Sequence, residues 1–191
     1  MKISTFLVVA AAGTAIAIPK INDENFKNTA LNAHHYWREI HCAQAVAWND
    51  TIARAAKESV ESCPQNQRHD RAGSNLSAAS PPPADDDNDR WIEMTREMIH
   101  GWHEEEYKYD YAHPGTPEGT GHFTQLVWRG TTQIGCALAS CKGKNMPGRL
   151  YCFYEPAGNI INDGMYAANV YPPECPHGWY GRKEKRVVFT A

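Results

Sequence analysis

Apolar residues recur at helical spacing in three stretches of the chain. Across residues 25–41, Phe26, Leu31, Trp37 and Ile40, with Ala30 and Ala33, draw one stripe, the pattern of an amphipathic helix. Trp48-Asn49-Asp50-Thr51 then offers capping side chains ahead of Ile52, Ala55, Ala56 and Val60. These share one face of a second helix, which Cys63 and Pro64 end. A third helix carries Trp91, Met94, Met98 and Trp102 at steps of three, four and four, and the next step of three lands on Glu105. Glu104 and Glu106 lie about 100° to either side of it and are expected to face solvent. Glu105 therefore continues a buried face, where a carboxylate must find a partner or bear a desolvation penalty.

The period changes further on. Residues 133–139 and 149–155 alternate and are rich in β-formers, so they read as two strands joined by a Gly/Asn/Pro loop. The segment from His122 to Trp128 is too short for its period to separate helix from strand. Residues 65–73 are polar and loop-like. Residues 78–89 hold three prolines and a run of aspartates, the composition of an exposed, mobile loop. The aspartates lack the alternating ligands and glycine of an EF-hand and read as solvated.

A length of 191 residues suits one domain with its own core. The net charge of −3 comes without a basic run, and Arg182-Lys183-Glu184-Lys185-Arg186 is broken by an acid. Nucleic acid is therefore not an expected partner. Lys2, the apolar run Phe6 to Ala12 and Ala15-Ile16-Ala17 fit a cleaved secretory signal over residues 1–17. That run is shorter than the roughly 20 residues a membrane span needs, so a secreted, extracellular protein without a transmembrane anchor is expected. Six cysteines, Cys42, Cys63, Cys136, Cys141, Cys152 and Cys175, then imply three disulfides, with their connectivity open.

Candidate chemistry is sparse. His34 reads as a surface or partly buried helix position. Asn49-Asp50-Thr51 is a glycosylation sequon at a helix start, and Asn75-Leu76-Ser77 is a second. There is no HExxH and no GxSxG turn. A weak metal- or base-assisted hydrolase, with Glu105 activating water beside His122 or His69, is the lesser alternative. Tyr107, Tyr109 and Tyr111 run toward Pro114-Gly115. They read either as packing under a turn or as an aromatic site for an apolar ligand.

Two segments carry a resemblance. Gly121-His122-Phe123-Thr124-Gln125-Leu126-Val127-Trp128-Arg129 and Leu150-Tyr151-Cys152-Phe153-Tyr154-Glu155-Pro156-Ala157-Gly158-Asn159 resemble the signature segments of the CAP superfamily. This SCP-domain group takes in cysteine-rich secretory proteins, venom antigen 5 and plant pathogenesis-related class 1 proteins. His34, Arg38, His41, Ala45 and Trp48 match its opening helix and the turn beyond. The resemblance implies an α+β fold, a three-layer α-β-α sandwich, over residues 18–172, with a C-terminal tail at 173–191. It also implies the bridges Cys136–Cys152 and Cys63–Cys141, which leave Cys42 to pair with Cys175.

His69-Asp70-Arg71-Ala72-Gly73-Ser74-Asn75-Leu76 is similar to a family stretch of histidine, polar loop and glycine-glutamate-asparagine-leucine. In many members two histidines and two glutamates converge in a cleft that can hold a divalent cation. His69, Glu105 and His122 match three of them, and Ser74 replaces the first glutamate. No required cofactor is implied, only weak cation binding, with a hydrogen-bonded polar cluster as the alternative. Fungal members similar in Trp102, Glu105, Tyr109-Asp110-Tyr111 and Gly121 to Gln125 bind and export sterols, and related members hold fatty acids in a groove between helices. The resemblance thus implies a sterol or another lipid as ligand, with an extracellular protein partner as the alternative.

Overall fold

The computed structural model describes residues 17–116 and 118–173. Helix α1 (Glu24–Ile40) starts where the Asp23 carboxylate accepts from the Phe26 N–H, satisfying a backbone donor that the first turn leaves open. Its buried row is Phe26, Ala30, His34 and Arg38, every fourth residue. The apolar stripe had marked Leu31, Trp37 and Ile40 instead, and Leu31 and Trp37 are only partly buried. The reason is that two hydrogen-bonded polar residues occupy the inner face. His34, expected near the surface, is fully buried. It donates from Nδ1 to the Ala30 carbonyl and accepts at Nε2 from the Tyr154 hydroxyl, at 2.7 and 2.8 Å. Arg38 donates to the carbonyls of Gln44, Leu126, Trp128 and Thr131. Burial lowers its pKa to about 10, which leaves it charged at neutral pH. One buried guanidinium thus pins three stretches of backbone to α1.

Strand β1 (Ala47–Trp48) leads into α2 (Asp50–Glu61), and Asn49 caps that helix by accepting from Thr51 and Ile52. Then come β2 (Ser74–Ala79), α3 (Asn88–His103) and a 3-10 turn, Glu104–Lys108. The chain continues through α4 (Gly121–Leu126), β3 (Gln133–Ser140), β4 (Gly148–Glu155) and α5 (Met165–Asn169). The sheet order is β1-β3-β4-β2, with β1 parallel to β3 and the other pairs antiparallel.

Strand alternation divides the core between two faces. Ile134, Cys136, Leu138, Leu150, Cys152 and Tyr154 join the cluster that includes residues of α1, α3 and α4. Ala137, Ala139, Tyr151 and Phe153 join the smaller one under α2. Gly135 lets α2 come this close, since a Cβ there would lie 2.2 Å from the Ala53 nitrogen. The result is the three-layer α-β-α sandwich.

Cys136 and Cys152 are directly opposite in register and bonded, and Cys63–Cys141 fastens the end of α2 to the end of β3. Cys42 is buried just beyond α1. Its expected partner Cys175, residues 1–16 of the expected signal segment 1–17, and residues 174–191 of the expected tail lie outside the described residues. Only the start of the loop expected over residues 78–89 differs: Ala78 and Ala79 belong to β2, because they pair with Arg149 and Gly148 of β4. The aspartate run is exposed as expected, and within it Asp87 caps α3 and Asp85 pairs with Lys142.

Candidate functional site

The site is built around the turn that follows α3. The helix ends at His103 and tightens into the 3-10 turn. With about three residues per turn, positions i and i+3 fall in line, so Glu106 comes under His103. This corrects the expected solvent-facing Glu106, whose side chain is only 24% exposed against 68% for Glu104. The 100° step used to place it holds for an α-helix only.

Glu105 turns toward α4. Its Oε1 meets His122 Nδ1 at 2.7 Å, and its Oε2 accepts from the backbone N–H groups of His122 and Phe123 at 2.9 and 3.2 Å. Burial pushes this carboxyl up, but the His122 bond and charge and the two N–H donors outweigh it and hold the pKa below the usual carboxylate value. His69 stacks on His122, with ring centroids 5.7 Å apart. Its Nδ1 is 2.8 Å from Ser74 Oγ. That hydroxyl spends its proton on the Arg71 carbonyl, so His69 Nδ1 is the donor. Burial, then the neighbouring His122, lowers the His69 pKa. Asp70 accepts from Ser59 of α2. The predicted trio is therefore one bonded pair, Glu105 with His122, and one stacked neighbour. Asn75 supports it from β2 by donating to the His122 carbonyl at 2.9 Å.

Glu106 turns the other way, toward His103 and His41, which no local sequence pattern connects. His103 Nε2 is 2.9 Å from His41 Nε2, and the Glu106 Oε2 is 3.3 Å from the first and 3.8 Å from the second. His41 Nδ1 donates to the Tyr171 carbonyl at 2.7 Å, and the Tyr111 hydroxyl donates to Glu106 Oε1 at 2.8 Å. Burial lowers the His41 pKa against the opposing pull of the Tyr171 carbonyl and Glu106. Burial, with His41 and His100 nearby, takes His103 down to about 4. Both imidazoles are neutral at neutral pH. The His103-x-x-Glu106 spacing at a helix end was the available signal; nothing local connected it to His41.

The three tyrosines part company. Tyr107 is 81% exposed, whereas Tyr109 is buried, edge-on to Phe123 and Tyr111. Tyr111 is partly buried, and its hydroxyl pKa is raised by burial and by Glu106. Tyr107 and Tyr111, with His103, Glu104 and Glu106, line a cleft of about 550 Å³. Behind it Trp37 stacks on His103 at 3.6 Å, and Tyr36, 54% exposed, packs edge-on to Trp37 at 4.7 Å. Asn49 is half-buried at its cap, and its Nδ2, the atom a glycan would occupy, donates to Gln133 at 2.7 Å.

Among the described residues no helix is long and apolar enough to cross a membrane. The sequence model of the cysteine-rich secretory protein (CAP) family matches residues 31–154. Protein PRY2 of Saccharomyces cerevisiae is 34% identical over 153 residues, which cover 78% of this chain and 42% of that protein. The Golgi-associated plant pathogenesis-related protein 1 of Homo sapiens is 29% identical over 165 residues, 81% of this chain and 98% of the relative. Secreted protein RBT4 of Candida albicans is 28% identical over 162 residues, 81% of this chain and 41% of that protein. The chain thus spans less than half the length of these two fungal relatives. The crystal structure of Na-ASP-1 superposes with a TM-score of 0.63 at 19% identity, covering 81% of this chain and 44% of that one. That of NaASP2 with Zn²⁺ gives 0.59 at 20% identity, covering 75% and 85%. The signature segments, the layer order and the sequence match agree, and this chain belongs to the CAP family of cysteine-rich secretory proteins.

Proposed function

We propose that this chain is a secreted CAP-domain protein that binds a sterol or another lipid outside the cell, at the cleft beside the 3-10 turn. The observation that carries the reading is a group of aromatic side chains in and beside the cleft. Tyr36 packs on Trp37, Trp37 stacks on His103, and His103 shares the cleft wall with Tyr107 and Tyr111. A tyrosine left 81% in water exposes apolar surface that a bound lipid would cover, at roughly 25 cal/mol per Å². The polar groups of the cleft, Glu104, Glu106 and His103, offer hydrogen-bond partners to a sterol hydroxyl. Two relatives bear names that describe them as secreted proteins, which supports export, as do the disulfides.

Tyr109 leaves the set of ligand contacts in this reading, because it is a core residue. The test is binding of radiolabelled cholesterol to purified protein, with unlabelled sterols and fatty acids as competitors. Saturable binding displaced by one of these classes supports the proposal and names the ligand. Absence of binding by both classes at micromolar protein contradicts it.

A further inference from the structure

We propose that His41, His103 and Glu106 form a binding site for a divalent transition-metal ion, zinc foremost, with the fourth coordination position open to the cleft. This goes beyond the lipid reading and does not rest on it. Among the described residues, these three form the group of histidine, cysteine and acidic side chains whose ligand atoms lie close enough together to hold one ion. The Glu105–His122 pair is separate, since its carboxylate is spent on His122 and on the α4 backbone.

The geometry suits zinc. Bonds of about 2.0–2.1 Å to imidazole nitrogen and carboxylate oxygen set ligand-to-ligand edges of roughly 3.3 Å in a tetrahedron. The three edges here are 2.9, 3.3 and 3.8 Å, so each ligand needs only a small adjustment. Two nitrogens and one oxygen favour zinc and its neighbours over magnesium or calcium, which prefer oxygen alone.

The supports of the three ligands are also those of a metal site. His41 donates its Nδ1 proton to the Tyr171 carbonyl, so its Nε2 lone pair faces the cluster. A backbone carbonyl orienting a histidine in this way is a common second layer of metal sites. The Tyr111 hydroxyl holds Glu106 by its other oxygen. His103 is held flat by Trp37. Without an ion, His103 Nε2–H donates to His41 Nε2; on loading, that proton moves to His103 Nδ1 and frees the second lone pair. His103, Glu106 and Tyr111 all line the cleft, so water or a ligand oxygen can complete the tetrahedron, the arrangement of open His₂Glu sites.

The test is calorimetric titration of Zn²⁺ into the full chain after chelator treatment, paired with thermal melts. The expected result is one equivalent bound and a raised melting temperature. His103→Ala and Glu106→Gln should weaken zinc at least tenfold and abolish the thermal shift. Glu106→Gln keeps the side-chain size and the Tyr111 contact, so it guards against a merely unfolded variant. His69→Ala should bind zinc like the parent. No binding at millimolar zinc would overturn the proposal. So would zinc binding that survives Glu106→Gln but is lost in His69→Ala. Cholesterol binding in metal-free buffer is scored separately, so failure of this site leaves the lipid proposal intact.

Discussion

Glu105 and Glu106 are sequence neighbours whose carboxylates serve different histidines. Glu105 bonds His122 at 2.7 Å on the α4 side, and Glu106 lies 3.3 Å from His103 on the α1 side. The 3-10 turn makes this division, since α3 stops one residue before the acidic run. Removing the first carboxylate strands two backbone donors as well as an imidazole. Glu105→Ala should therefore destabilise the domain by about 2–3 kcal/mol, and Glu106→Gln by less than about 1 kcal/mol, because the Tyr111 contact persists. Urea denaturation of both variants checks the order; equal losses would contradict it.

Stability should fall on the acid side of neutrality, earlier than carboxylate protonation alone would bring. Burial lowers His34 from 6.5 to about 3 and, with neighbouring histidines, His103 to about 4. The unfolded chain takes up these protons as the pH drops below about 6.5, while the folded chain resists until near its own lower values. The stabilisation is thus complete above about pH 6.5 and is lost progressively toward pH 3–4. Melting temperature against pH should decline from about 6.5 downward, and His34→Gln, though less stable, should show a shallower decline. A flat profile between pH 7 and 5 would contradict this.

Arg38 holds four backbone carbonyls, and an ammonium cannot reproduce its planar fork. Arg38→Lys should cost about 2 kcal/mol or more, measured by the same denaturation, despite the conserved charge.

Non-reduced peptide mapping should recover Cys63–Cys141 and Cys136–Cys152 as they stand in the structure. It should also link Cys42 to Cys175. Recovery of Cys42 in any other bridge would refute the third pairing.

Much of this architecture could be read directly. Alternation placed β3 and β4 to within a residue, and the Trp91 to Trp102 stripe placed α3. The inner face of α1 was not legible, because apolar periodicity cannot reveal a buried histidine and arginine whose partners lie far along the chain. Nor was β2, which buries Ser74 and Asn75 where a pattern search expects apolar residues. In the site, the partner of Glu105 followed from the resemblance and the buried stripe together. The His41 cluster needed the local change of helix type and a contact across 62 residues, neither of which a linear pattern encodes.

Lipid binding on the aromatic wall of the cleft is tested most directly at Tyr107. Its side chain is 81% exposed, so Tyr107→Ala should leave the fold and melting temperature unchanged. Labelled-cholesterol affinity of Tyr107→Ala should drop about tenfold, the loss of roughly 1.4 kcal/mol of covered aromatic surface. Glu105→Gln should alter that affinity little. Unchanged affinity in Tyr107→Ala, with binding lost instead in Glu105→Gln of intact fold, would contradict the account and move the lipid to the His122 side of the turn.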